Sequence, residues 1–224
     1  VVVLLSNGRA MALKGAVRNA DAILVTWFLG VQTGNAIADV VFGDFNPSGR
    51  LPVSFPQASG QVPFYYGQKR TGRPLPDYDQ AMAFKTRYVD TTNRALYPFG
   101  HGIGYAPVRY DGMELSQDRL PIGGTLRVRA TVTNTGQREA EEVVQLYAAE
   151  RAASVTRPVR ELKNFRKVRI GPGASKVVEF TLRPDDLQFI GRDMKPTVEP
   201  GEFDLWVAPS AADGIKKSFA LTRE

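Results

Sequence analysis

Apolar and polar side chains alternate strictly through the second half of the chain, and this pattern is missing from the first half. In residues 126–134, Leu126, Val128, Ala130 and Val132 fall on one side, and Arg127, Arg129, Thr131 and Thr133 on the other. That is the period-two signature of a strand with one covered face and one wet face. Val144, Leu146 and Ala148 repeat it, as do Val178, Phe180 and Leu182, and then Phe203, Leu205 and Val207. Turn formers separate the runs at Asn134-Thr-Gly136, Gly171-Pro-Gly173 and Glu199-Pro-Gly201. With residues 108–115, 162–170 and 215–221 the pattern predicts about seven strands in roughly 115 residues, the spacing of a two-sheet antiparallel sandwich.

The first half follows other rules. Residues 1–5 (VVVLL) and 22–26 (AILVT) are short, wholly apolar and rich in β-branched side chains, which predicts buried parallel strands. A partly helical stretch around 11–18 links them. From about Gln32 to Phe42 the apolar residues Ala36, Ile37, Val40 and Val41 recur at helical spacing, and Gly43 is placed to end that helix. Asp44-Phe-Asn-Pro-Ser-Gly49 is a dense cluster of turn formers, with Gly49 free to take a positive φ. Two parallel strands cannot cover both faces of a sheet, so the remainder of that sheet is expected upstream of Val1, in a longer polypeptide. Residues 56–105 show little period and mix Gly, Pro and Tyr. A stretch of that length reads as a segment lying across another surface, the missing domain in particular, and bridging to the sandwich. The predicted fold class is α/β plus all-β: the C-terminal part of an α/β sandwich in 1–105, then an immunoglobulin-like β-sandwich in 106–224.

Composition removes several alternatives. The chain has 224 residues, 43% hydrophobic and 23% charged, ordinary for a globular protein. Its net charge of +6 comes from 29 Lys and Arg scattered among 23 acids, with no run of five like charges, so nucleic acid is not an expected partner. The absence of cysteine removes disulfides and thiolate metal sites. No apolar stretch approaches the ~20 residues of a membrane helix, and a membrane is not an expected partner.

Trp27-Phe28, Gly34-Asn-Ala-Ile-Ala-Asp-Val40, Phe42-Gly-Asp44, Asn46-Pro-Ser-Gly49-Arg-Leu-Pro52 and Ser54-Phe-Pro56 follow one another along the chain. They are succeeded by Thr71-Gly-Arg-Pro74, Arg87-Tyr88, Tyr97-Pro-Phe-Gly100, His101-Gly-Ile-Gly-Tyr105, Arg157-Pro158 and Leu162-Lys-Asn-Phe165. In this order, over essentially the whole length, they resemble the C-terminal portion of family 3 glycoside hydrolases, bacterial periplasmic β-glucosidases above all. The resemblance implies a fibronectin type III-like domain at the C-terminus, and an upstream TIM-like barrel carrying an aspartate nucleophile, with a glutamate acid/base before this chain begins. It further implies retaining hydrolysis of β-linked glucosides or oligosaccharides without a cofactor, and a periplasmic or secreted location. It also allows a homodimer.

The residues themselves supply no catalytic pair. A retaining glycosidase needs two carboxylates ~5–5.5 Å apart, and Asp21, Asp39, Asp44, Asp77, Asp79 and Asp90 of the first half match neither motif. No catalytic residue and no metal ligand is therefore assigned. His101, the sole histidine, reads as a structural turn residue. Ser6 and Ser54 lack a nucleophile elbow, and the glycine patterns at 30–34 and 100–104 lack the features of a phosphate loop. Ligands collect at the carboxyl ends of parallel strands, which directs attention to Ser6–Arg9 and Trp27–Gly34. The candidate substrate-binding residues are Arg9, Trp27, Arg73 and Tyr78. For Trp27, packing of the strand end competes with a sugar platform, and for the Tyr65, Tyr66, Tyr78 and Tyr88 group a domain interface competes with a saccharide rim. A non-catalytic carbohydrate-binding module is the alternative reading, resting on Tyr147 and Trp206 as outward aromatics of the sandwich, and a purely structural, partner-docking domain is the third.

Overall fold

A computed structural model describes residues 1–73 and 84–224. The two apolar runs form β1 (Val2–Leu5) and β2 (Ala22–Val25), paired in parallel with Val2 opposite Ala22 and Leu5 opposite Val25. The single turn α1 (Gly15–Arg18) lies between them, and α2 (Thr33–Phe42) follows. Gly43 caps α2 in the left-handed region at φ 88°, where a Cβ would be strained. Gly49, by contrast, takes no positive φ; the turn at 46–49 is held by Asn46, whose side-chain oxygen accepts from the Tyr105 amide at 2.7 Å.

Neither strand is buried here. The residues of β1 and β2 are half-buried or exposed, and α2 has no buried residue, with Phe28, Val31 and Phe42 standing in solvent. Strands and a helix this apolar are built for cover on both sides, and these described residues do not supply it.

The alternating runs fold into a β-sandwich. Strands β3 (Val108–Leu115), β5 (Leu126–Asn134) and β8 (Ser175–Leu182) form one antiparallel sheet in the order β3-β5-β8. The facing sheet runs β4-β12-β11-β6-β7, from β4 (Arg119–Pro121), β6 (Ala140–Glu150), β7 (Glu161–Ile170), β11 (Gly201–Ala208) and β12 (Ile215–Thr222). A short pair, β9 (Phe189–Ile190) and β10 (Pro196–Thr197), decorates the connection. The alternation read on β5 holds residue by residue: Leu126, Val128, Ala130 and Val132 are buried against Phe180, Leu205, Phe203 and Phe219.

On β6 the alternation gives way. From Gln145 to Glu150 every residue is buried, including those whose side chains leave the sandwich core. The connecting segment 56–105 covers that outer face. Tyr66 stacks on Phe99 at 4.2 Å between ring centroids and meets Tyr147 edge-on at 6.1 Å. Gln145 donates to the carbonyls of Gly100 and Pro209, the Ala211 amide donates to Phe99, and the Val159 amide to Gln68. Gly100, at φ 80°, is packed so closely on Gln145 that a Cβ would collide with its amide. The segment expected to lie against a missing domain therefore spends much of its apolar surface on the sandwich.

Candidate functional site

The carboxyl ends of β1 and β2 open into a cleft of about 520 Å³ lined by Gly8, Arg9, Ala10, Trp27, Pro52 and Val53. Its position is the one that parallel-sheet topology favours for ligands. Trp27 is the central feature. It sits at φ 53°, a region that a bulky L-residue adopts only when its surroundings impose it. Ser6 Oγ donates to the Trp27 carbonyl at 3.0 Å, Thr26 Oγ1 donates to the Leu5 carbonyl at 3.1 Å, and the indole tilts against Phe55 at 6.4 Å. Phe55 is itself fully buried and fixed by two-way backbone bonding to residues 96 and 97. The strained tryptophan is thus clamped from below, with part of its ring left open to the cleft.

Asn7 holds the turn that leads into the Gly8 and Arg9 lining. Its amide nitrogen donates to the Arg9 carbonyl at 2.6 Å, while Oδ1 is buried without a partner. A buried acceptor left unmet costs about 1–3 kcal/mol.

The structure brings Arg9 and Trp27 together in the lining; Arg73 is exposed and outside that lining, and its carbonyl accepts from the Thr86 amide at 2.9 Å. Tyr78 lies outside the described residues. Reading the sequence missed Pro52 and Val53. Of the tyrosine group, Tyr66 belongs to the interface with the sandwich, whereas Tyr65 is exposed. Phe28 is 77% exposed, with its ring edge over Gly8, whereas Trp27 packs on Phe55.

The far wall of the cleft is tied to the sandwich. Arg50 reaches Glu142 at 2.8 Å with both side chains about nine-tenths buried, and Tyr110 donates to the other oxygen of Glu142 at 2.9 Å. Ser48 donates to Glu141, which also receives Lys167 and Arg169 and is held down at about 2, chiefly by the Lys167 and Arg169 contacts. Leu51 exchanges backbone hydrogen bonds with Gly100 and His101, carrying the anchor directly into Pro52 and Val53. His101 stacks on Tyr97 at 5.3 Å, and burial together with Arg50 lowers its pKa, so it stays neutral at neutral pH.

Chemically, the cleft presents an aromatic face and a guanidinium, which suit the face and hydroxyls of a polar ring. It presents no carboxylate. Among the described residues no group of three or more His, Cys, Asp or Glu is arranged to hold a metal ion, and no helix is long and apolar enough to cross a membrane. The aromatics expected to mark a free-standing binding module are not available as a platform. Tyr147 is fully buried under Tyr66, contrary to its expected outward position, and Trp206 is covered by the Arg160 guanidinium at 4.2 Å.

A clefted α/β segment joined to a β-sandwich defines the class of the chain as a multidomain α/β-plus-β protein. Known proteins narrow the class further. Residues 1–105 match the glycosyl hydrolase family 3 C-terminal domain, and residues 142–211 match a fibronectin type III-like domain. It is similar to a periplasmic β-glucosidase of Salmonella typhimurium (42% identity over 221 residues, 99% of this chain and 29% of the relative). It is also similar to a β-xylosidase of Formosa agariphila (39% identity over 222 residues, 99% of this chain and 30% of the relative). Among solved structures, a β-glucosidase from Listeria innocua in complex with isofagomine superposes with a TM-score of 0.93 at 35% identity, over 99% of this chain and 31% of that one. The chain therefore spans about 30% of the length of the relatives it matches.

Proposed function

We propose that this chain is the C-terminal part of a retaining β-glucosidase that removes terminal β-D-glucosyl residues from β-glucosides or oligosaccharides. The supporting observation is the cleft at the β1 and β2 carboxyl ends, which a conformationally forced Trp27 and Arg9 line together, in a segment that matches the glycosyl hydrolase family 3 C-terminal domain. In this reading Trp27 offers a ring face, Arg9 meets sugar hydroxyls, and Pro52–Val53 fix the opposite wall. Arg73 and Tyr78 would contribute from the segment that follows. The nucleophile and the acid/base stand outside this chain, on the barrel and the loop that the cleft would adjoin, so the contribution here is shape and hydrogen bonding rather than proton or glycosyl transfer. The exposed apolar faces of β1, β2 and α2 agree with cover by the rest of an α/β sandwich. We place the division between the two parts at 105/106, the location in the periplasm or outside the cell, and the assembled enzyme as a homodimer.

Incubation of the purified chain with an aryl β-glucoside tests the division of labour. No release of phenol above a buffer blank is expected, and turnover by the chain alone would overturn it. Calorimetric titration with cello-oligosaccharides tests the competing binding-module reading, which requires tight binding by the chain without any barrel.

A further inference from the structure

Away from the cleft, the loop after β6 encloses a second cavity of about 340 Å³ lined by Arg70, Glu150, Arg151, Ser154, Thr156 and Arg157, among others. The volume lies in the range of small-molecule sites. Its walls come from two parts of the chain, since Arg70 belongs to the connecting segment, joined to the loop by the Lys69–Pro158 bridge.

The charges around it are almost all spoken for. Arg157, 7% exposed, donates to Glu150 Oε2 at 2.9 Å and to Glu161 at 2.8 Å, and Lys163 lies 3.6 Å from Glu161. Arg151 is paired with Asp204 at 2.7 Å, and the Ser154 amide donates to Glu199 at 2.8 Å. Two groups remain. Glu150 has a side chain only 1% exposed, yet its Oε1 has no hydrogen-bond partner. Arg70 is exposed and has no partner among the described residues. A lone acceptor at the back of a polar cavity and a lone five-donor fork at its rim are complementary to one kind of group, a hydroxyl that donates inward and accepts outward. Glu161 and Asp204 are met by Arg157, Lys163, Arg151 and Lys216, and Glu199 by Ser154, so the groups left for a ligand are the Glu150 oxygen and Arg70, and a hydroxyl suits both.

We propose that this cavity binds a neutral polyhydroxyl ligand of monosaccharide size, with Glu150 Oε1 accepting from one hydroxyl and Arg70 donating to a neighbouring oxygen. The site stands apart from the function proposed for the cleft. It also joins the connecting segment to the sandwich, so occupancy would hold the two together.

The test is a titration of the isotopically labelled chain with D-glucose, followed through backbone amide resonances. Saturable shifts are expected at residues 150–157 and at Gly201, where an added methyl would stand 3.4 Å from Glu150 Oε1. Above pH 7, where the Glu150 carboxyl is ionised, Glu150→Gln, which keeps the shape but exchanges charge for an amide, should weaken binding by about ten-fold or more, the worth of one charge-assisted hydrogen bond. Arg70→Met should weaken it several-fold, and because Arg70 is exposed this variant will fold whatever happens to Glu150→Gln. Trp27→Ala, which alters only the cleft, should leave these shifts unchanged. The proposal fails if glucose moves no amide in 150–157, if the shifts survive both Glu150→Gln and Arg70→Met, or if inorganic phosphate alone produces them, which would mean an anion held by Arg70.

Discussion

Removal of the Glu142 side chain should detach the cleft wall from the sandwich at a predictable cost. Glu142 Oε2 receives Arg50 at 2.8 Å and Oε1 receives the Tyr110 hydroxyl at 2.9 Å, with the ionic side chains 10% and 8% exposed. Arg50 Nε already lacks a partner, so in Glu142→Ala a guanidinium is left buried with little beyond a bond to the Gly49 carbonyl at 3.1 Å. Loss of one partner from a buried pair costs about 3–5 kcal/mol, because the survivor remains desolvated, and Tyr110 loses its acceptor as well. A cost of about 4 kcal/mol follows, read by urea denaturation of wild type and variant. Hydrogen exchange locates it: the amides of Leu51, Phe55 and Gly100, which tie the cleft wall to residues 97–101 beside this junction, should lose protection well before those of Val128 and Phe180 in the sandwich core. Arg50→Met combined with Glu142→Gln supplies the control. Gln keeps an acceptor for Tyr110 and Met fills the channel without a charge, so the double variant should lie within about 1 kcal/mol of wild type. A Glu142→Ala cost below about 1 kcal/mol, or a double variant as damaged as the single, would refute the anchor.

Other consequences are equally checkable. Trp27→Gly should be more stable than Trp27→Ala by about 1 kcal/mol in chemical denaturation, the reverse of the usual order, because position 27 sits at φ 53°; equal stabilities would mean no backbone strain there. Burial opposes ionisation of Asp204, but hydrogen bonds from Arg151, Lys216 and Ser218 outweigh it and hold the group at about 2, below its ordinary 3.8. The folded pKa is depressed, so this stabilisation is present above pH 3.8 and disappears as the pH falls towards 2, a loss of about 2 kcal/mol that Asp204→Asn should abolish in acid titrations of stability. Glu150 behaves in the opposite sense. Burial outweighs the attraction of Arg157, and Glu199 and Glu161 add to the burial, raising the group to about 7 from 4.5. The folded state then holds a proton that the unfolded state releases, so stability falls as pH rises from about 4.5 to 7, by on the order of 3 kcal/mol. In Glu150→Gln that slope should flatten; an unchanged slope would mean that another group carries it.

Much of the fold is legible in the amino-acid pattern because side-chain period reports which face of an element is covered. The four alternating apolar residues of β5, the two apolar parallel strands and the helix stop at Gly43 all follow from local pattern. The period says nothing of what lies on the other face, which is why Tyr147 reads as outward and is instead buried beneath Tyr66 and Phe99. Strands of two or three residues such as β4, β9 and β10 are too short to show a period at all. The cleft is half legible: strand carboxyl ends point to Arg9 and Trp27, whereas Pro52 and Val53 join only because residues 46–53 are anchored to Glu139, Glu141 and Glu142, some ninety positions away. Asn7 lies within the stretch singled out, but only its unmet oxygen distinguishes it from an ordinary turn residue. Arg73 shares a residue type with a sugar-binding role, and nothing in the sequence fixes its distance from Trp27.

The most direct test is to replace the corresponding C-terminal portion of a family 3 β-glucosidase with residues 1–224 and measure kcat/KM on an aryl β-glucoside. If this chain supplies one wall of the active site, the chimera should turn over substrate, and Trp27→Ala within it should lower kcat/KM by about ten-fold or more, the loss expected when an aromatic contact to the bound ring is removed. A folded chimera with no activity, or one indifferent to Trp27→Ala, would contradict the assignment of the cleft to the substrate site.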